Sequence, residues 1–432
     1  MKKTTTLIVM AMLCLIFNTD AQNLKSTIKP LKVGDRVPEE IWNRTFQVVN
    51  HPQGKETMTL KEFKGKLIIL DFWGTHCGSC ISAMPRTNKL EKQFSDQMVI
   101  IGVTDENREK VSSFIPKNKT LKSINPFSII GENVIQGFFP TNSIPHYVWI
   151  GEEGLIEAIT NPDQITEEHI IQVLKKAPLT VEPKEYIDTD RPIFAGEGLQ
   201  QHQLFHYSVM VKGRQNGLSS GSEAKSFTES MCRRVFTNYD IKGMYHIVAW
   251  ELFQQLGLGK FSMKRLIIES AYHDLLEDTV SKHRPDWYRN NLYTYDKIIP
   301  ISESPNLYHY ILEDLNHYLN FTGTIEKRKV KCMVLVKRKK NKEVKGSLAP
   351  NSFPLHNYAG GLNSKEFIKP QVLNETGIKD EINLIKSESK NMKELLEELH
   401  ALNLDLKEAF RTIDVFVIRD KKPTQLSSFS NK

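Results

Sequence analysis

Apolar positions are spaced in two different ways along this 432-residue chain, and the change falls near residue 178. From Lys32 to Lys176, short unbroken apolar runs alternate with amphipathic stretches, the pattern of a sheet layered with helices. Leu67–Leu70 and Met98–Val103 are apolar throughout and predict buried strands. Thr87–Phe94 and Asn107–Phe114 carry helical spacing. Pro145 opens a strand over His146–Ile150, Gly151–Gly154 supplies a turn, and Leu155–Thr160 returns antiparallel. Thr166 then caps a last helix, with Glu167 and Glu168 in its first turn and Lys175 and Lys176 in its last.

Beyond this half the texture changes. Pro178–Gly198 is rich in proline, glycine and charge, lacks periodicity, and is read as a linker. Helical stripes follow at Gly243–Leu256 and Met263–Leu276. Ser304-Pro305 predicts a helix start running to Leu319, and Met392–Leu402 presents a leucine face. Strands are predicted at Val330–Val336 and Ile413–Ile418. The expected organisation is an α/β domain over 22–177, a linker over 178–198, and an α+β domain of unknown fold over 199–425.

Residues 1–21 belong to neither domain. Lys2 and Lys3 precede the apolar run Leu7–Phe17, and Thr19-Asp20-Ala21 supplies small residues for cleavage, which together predict a secretory signal peptide. Cys14 lies inside the apolar run behind bulky Leu13, which argues against a lipid attachment site. Removal of this segment lowers the net charge from +7 to +6. The expectation is a soluble protein of the periplasm, with a modest charge that does not demand an acidic partner. Four cysteines would then remain, Cys77, Cys80, Cys232 and Cys332, too few for a disulfide framework in a chain of this size.

Cys77-Gly78-Ser79-Cys80 follows the buried strand directly and opens a helical pattern. At a helix N-terminus the macrodipole and free N–H groups stabilise the first thiolate. The second thiol, nearly a turn further in, is placed to attack a mixed disulfide formed by the first. Half of a structural zinc site would need a second close pair, which the sequence lacks, so no metal and no cofactor is expected. Two inert buried thiols would leave the aromatic strand ending Phe72-Trp73 unexplained.

The stretch LIILDFWGTHCGSCISAMP, Leu67 to Pro85, resembles the active-site segment of the thioredoxin fold, in particular the TlpA/ResA-like extracytoplasmic thiol–disulfide oxidoreductases. Val33-Gly34-Asp35 with Pro38, Leu60–Lys66, Ile144-Pro145 and Trp149–Gly154 are similar to other parts of that family, over about residues 30–177. The second half, best from Leu292 to Pro423, resembles a soil-associated bacterial family of unknown function found fused to TlpA-like domains.

The resemblance implies roles for particular residues. Asp71, six residues before Cys77, matches a buried aspartate that assists proton movement at the inner thiol; a strand-end aspartate facing solvent is the alternative. Ile144 and Pro145 match a cis-proline loop that faces the cysteines and offers backbone groups to an extended substrate. Trp73 is expected in the wall of the site, with core packing the competing use. His76 departs from the family's usual aromatic residue. As an imidazolium it would favour the Cys77 thiolate, and as an exposed side chain it would do little. Gly78 and Ser79 add no charge of their own.

Cys232, in a stretch read as helical, and Cys332, in a strand, either form one disulfide or remain separate thiols. The basic run Lys327–Lys345 is interrupted by Cys332–Val336 and fits a strand with solvated ends, so no nucleic-acid partner is expected. The functional expectation is an exported protein-disulfide reductase with a redox-active Cys77–Cys80 disulfide. Its partners would be protein thiol or disulfide clients and a membrane-embedded electron donor. The alternative is a redox-responsive binding or sensor protein whose second domain holds the partner.

Overall fold

The computed structural model describes residues 28–421 apart from 197, 201–202, 277–284, 340–341, 345, 348, 350–351 and 379–381. The expected signal peptide lies outside the described residues. Among those described, no helix is long and apolar enough to cross a membrane. The chain forms two compact units. The first runs to Gly196 and takes in Gln215–Ser219, and the second comprises Glu197–Arg214 and Ser220–Lys432.

The first unit is built on a seven-stranded sheet. Its strands are β1 (Phe46–Val49), β2 (Thr57–Met58), β3 (Leu67–Phe72), β4 (Met98–Val103), β5 (Ser128–Ile129), β6 (His146–Ile150) and β7 (Ile156–Thr160), in the order β2-β1-β5-β4-β3-β6-β7. β3 is an inner strand, parallel to β4 and antiparallel to β6. It is buried along its whole length because helices cover both faces, which is why its sequence is an apolar run rather than an alternation. Ile68, Leu70 and Phe72 point to the side of α1 (Glu39–Asn43) and α5 (Val134–Phe138). On the opposite face, Leu67 and Ile69 meet α6 (Glu167–Leu174) and the C-terminal part of α2 (Gly78–Gln93). The cysteine end of α2 packs there with Val111 of α3 (Arg108–Phe114) and Leu121 of α4 (Lys119–Ile124).

The helix expected to open at the cysteines and run through Thr87–Phe94 is there as Gly78–Gln93, with Cys77 as its N-cap and Pro85 tolerated in its interior. Other local expectations change in the structure. Thr166 caps α6 through the His169 N–H, but Lys176 lies beyond the helix end with φ of 51° and pairs with Glu152 and Glu153. Pro178–Gly196, expected as a linker, belongs to the first unit, where Lys184 and Ile193 are buried.

The second unit holds two four-stranded sheets and a two-stranded ribbon. One sheet is antiparallel, with strands Tyr207–Lys212, Tyr293–Pro300, Met231–Tyr239 and Gly221–Thr228 in that order. Cys232 therefore sits on a strand, not a helix. The other sheet is organised on two 17-residue strands, Phe321–Lys337 and Leu404–Asp420, paired antiparallel from end to end. One end of this ribbon joins a core with helices Ile241–Gln255 and Leu307–Tyr318, and the other end joins a core with Leu355–Leu362 and Met392–Ala401. Cys332 is buried in this second sheet, and both cysteines are free thiols, so the disulfide alternative does not hold. The predicted helix Met263–Leu276 is broken up: Met263–Arg265 is a 3-10 turn, Leu266–Glu269 is a strand paired in parallel with Phe416–Arg419, and His273–Leu276 alone is α-helical. Ser304-Pro305 falls inside a 3-10 segment, Ile301–Asn306, and the α-helix proper starts at Leu307.

Candidate active site

β3 delivers Asp71, Phe72 and Trp73 to the end of the sheet, and a short turn carries the chain to Cys77, joined by a disulfide to Cys80. The Cys80 N–H points at Cys77 Sγ at 3.1 Å, and Ser79 Oγ lies 3.5 Å from the same sulfur. These are the donors that a thiolate on Cys77 would use in the reduced state, at the positive end of the α2 dipole. Cys77 is 7% exposed and Cys80 fully buried, so an incoming sulfur meets Cys77 first. Gly78 is exposed, with open space where a side chain would sit.

Asp71 is buried on the β3 face shared with Tyr147 of β6, its cross-strand partner. Burial pushes its carboxyl up to about 7, against the lowering effect of a 3.0 Å hydrogen bond donated by the Tyr147 hydroxyl. Tyr147 is itself driven up by burial and by the neighbouring carboxylate. A groove of about 550 Å³ reaches Asp71; Met84, one turn beyond Cys80, Thr87 and Glu91 also line it. Glu91 too is raised by burial, opposed by the Ile100 N–H that its carboxylate accepts.

The Ile144–Pro145 peptide bond is cis. Ile144 packs against the cluster that contains Trp73, Cys77 and Cys80, which places the loop against the disulfide. Trp73 is buried in the same apolar cluster as the two cysteines, so it packs the site from inside and offers no exposed face. His146, next in the chain, is buried against Phe72 with a centroid distance of 5.1 Å. Burial and the Lys184 ammonium push its imidazole down to about 3, so it is neutral at physiological pH.

His76 matches the exposed one of its two expected settings. Its side chain is 72% exposed and its Nδ1 faces Glu106 Oε1 at 3.6 Å. Glu106 also accepts from the Thr75 N–H at 2.9 Å, the Thr75 hydroxyl at 2.8 Å and the Lys110 ammonium at 2.6 Å. Burial alone would raise Glu106, but these donors outweigh it and hold its carboxyl below the usual range. One carboxylate thus anchors the turn before Cys77 and meets the positive charge of Lys110 and of any imidazolium at His76. Glu106, Tyr147 and Lys184 were not singled out from the sequence. Only the four-residue spacing of Glu106 and Lys110, just past a strand, hinted at a fixed pair.

A disulfide at a helix N-terminus, a buried strand carboxyl and a cis-proline loop on one sheet define the class of thioredoxin-fold thiol–disulfide centres. Residues 33–136 match the AhpC/TSA family. The chain is 33% identical over 131 residues to thiol-disulfide oxidoreductase ResA of Bacillus thuringiensis subsp. konkukian, covering 30% of this chain and 73% of that one. The thioredoxin-like protein YneN of Bacillus subtilis is 27% identical over 104 residues, 24% of this chain and 61% of that relative. Among solved structures, the thioredoxin domain of a thiol-disulfide oxidoreductase from Bacteroides vulgatus aligns at 21% identity with a TM-score of 0.26, over 34% of this chain and 97% of that one. This chain belongs to the ResA-like thiol–disulfide oxidoreductase family through its first unit.

Proposed function

We propose that the first unit reduces disulfides of protein clients outside the cytoplasm, using electrons from a membrane-embedded donor. Cys77, as thiolate, attacks a client disulfide and displaces one client sulfur. Cys80 then attacks Cys77 in the mixed disulfide, releasing the second client thiol and leaving the Cys77–Cys80 disulfide. Asp71 takes the Cys80 proton as that thiol becomes nucleophilic, a role to which a buried carboxyl titrating near neutrality is suited. Ile144 and Pro145 receive the extended client strand.

The observation that carries this reading is the asymmetry of the two sulfurs: Cys77 reachable and hydrogen-bonded at a helix N-terminus, Cys80 sealed behind it. The charge around the turn before Cys77 supports the reductive direction. Glu106, which holds that turn through Thr75, pairs with Lys110 and faces His76, so little net positive charge is left there to favour the thiolate over the disulfide. Insulin reduction by the full chain, with a thiol donor supplied, tests the activity. Wild-type turnover with none in Cys77→Ser supports it, and an inactive wild-type protein overturns it.

A further inference from the structure

The segment after α6 is built into the active-site end of the first unit. The Glu182 N–H donates to Gln164 Oε1 at 3.0 Å, and the Lys184 N–H donates to the Ile159 carbonyl at 2.8 Å, beside β7. Lys184 is then turned inward, 4% exposed, and its ammonium donates to the carbonyls of Ser143 at 2.6 Å and Pro145 at 2.8 Å. Asn142 Nδ2 makes a further tie to the Ile187 carbonyl. From the other side Gly217 approaches so closely that a Cβ there would collide with the Glu185 carbonyl oxygen, and Leu218 is buried beside it. The loop that holds the cis-proline is therefore gripped by residues that lie beyond the last helix of the α/β fold.

We propose that Lys184 is a positioning residue for client binding: its ammonium fixes the carbonyls on either side of Ile144 and so holds the Ile144 backbone ready for an extended client. This rests on the reading of Ile144 and Pro145 as the receiving loop. An ammonium carries three diverging donors and no acceptor, so one head group can hold two carbonyls that flank a third residue. Bringing a cation out of water is unfavourable unless its hydrogen bonds are well made, and here two short ones fall within three residues of chain. The peptide planes of Ser143 and Pro145 are thereby set. Among the described residues, no hydrogen bond engages the Ile144 N–H or carbonyl, which leaves both for a partner strand. A free loop would have to be ordered at each encounter, a cost that falls on affinity rather than on sulfur exchange.

The test compares the full chain with Lys184→Met, which keeps the stem and removes the donors, and with Asn142→Ala, which removes only the tie to Ile187. Hydrogen–deuterium exchange is read at the Thr141–Ile144 amides, with β3 as an internal control, and insulin reduction is read as separate KM and kcat values. Loss of a charge-assisted hydrogen bond corresponds to about tenfold in an equilibrium constant. Lys184→Met should therefore speed loop exchange and raise KM for insulin by about that factor, with kcat changed less than about threefold. Asn142→Ala should show a smaller effect of the same sign. Unchanged loop exchange, or a loss carried by kcat at constant KM, would overturn the proposal. If the wild-type chain does not reduce insulin, the functional reading fails, and the exchange data still decide whether Lys184 holds the loop.

Discussion

Replacing Asp71 by asparagine removes a buried ionisable group and nearly preserves its shape, so the change should be read as a function of pH. In the fold this carboxyl titrates at about 7, against an ordinary value of 3.8. Between those values the unfolded chain is ionised while the folded chain keeps the proton. The folded state then binds more protons, and stability falls as pH rises. The shift spans roughly three pH units, equivalent to about 4 kcal/mol across that window, flat below pH 4 and flat again above about pH 7. Asparagine does not titrate, so the variant lacks this slope. Its amide N–H groups need partners, and an unmet one is worth about 1–3 kcal/mol of destabilisation at every pH. The absolute stability of Asp71→Asn at one pH is therefore ambiguous, but the difference between pH 4 and pH 8 is not. Urea unfolding followed by tryptophan fluorescence, with Trp42, Trp73 and Trp149 reporting on the first unit, measures it. Relative to the variant, the wild-type chain should lose about 4 kcal/mol between the two pH values. Parallel stability curves would mean that Asp71 ionises normally in the fold and cannot serve as the base.

Other predictions follow from the same geometry. Tyr147→Phe removes the hydrogen bond that opposes burial, so the inflection in the pH–rate profile of insulin reduction should move upward, by about one unit for a bond of typical strength; an unmoved inflection would detach Tyr147 from the titrating group. Glu106→Gln should destabilise the first unit by about 1–3 kcal/mol at neutral pH, since it weakens the acceptor for Thr75 and Lys110. Because Glu106 is held below its ordinary value of 4.5, that deficit should shrink as pH falls through and below this range, and a constant deficit would contradict the ion-pair account. Cys80→Ser should accumulate client proteins on Cys77 as dithiothreitol-sensitive high-mass bands, and equal trapping by Cys77→Ser would exchange the roles of the two thiols.

The strand–turn–helix around Cys77, the strands β4 and β6 and the cap at Thr166 were legible because each carries its own local signal: an unbroken apolar run, a proline, a capping residue. The second unit was harder for physical reasons. Phe321–Lys337 and Leu404–Asp420 are charged in their middles, where Lys327 pairs with Asp414 and Lys331 with Glu408 across the ribbon. Only their apolar ends read as strands. Gly221–Thr228 is mostly polar and half exposed, and it is a strand because Met231–Tyr239 pairs with it. Leu266–Ile268 kept a helical reading until its parallel pairing with Phe416–Ile418 overrode it. At the site, the cysteines could be found from their spacing and Asp71 from the family resemblance. Glu106 and Lys184 could not, since they reach the site from 29 and 107 residues beyond Cys77 through tertiary contacts. His76 was ambiguous for the same reason, because its effect depends on a carboxylate that the local sequence does not place.

The direction of the reaction is the central claim, and one equilibrium measures it. The purified chain is held in glutathione buffers of graded ratio, and the Cys77–Cys80 disulfide fraction is counted by thiol trapping and mass spectrometry. With Lys110 paired to Glu106 and His76 facing it, the two cysteines should show a potential of about −200 to −270 mV, the range of glutaredoxins and thioredoxin. A value near −120 mV, that of a strong periplasmic oxidant, would mean that the chain makes disulfides rather than reduces them.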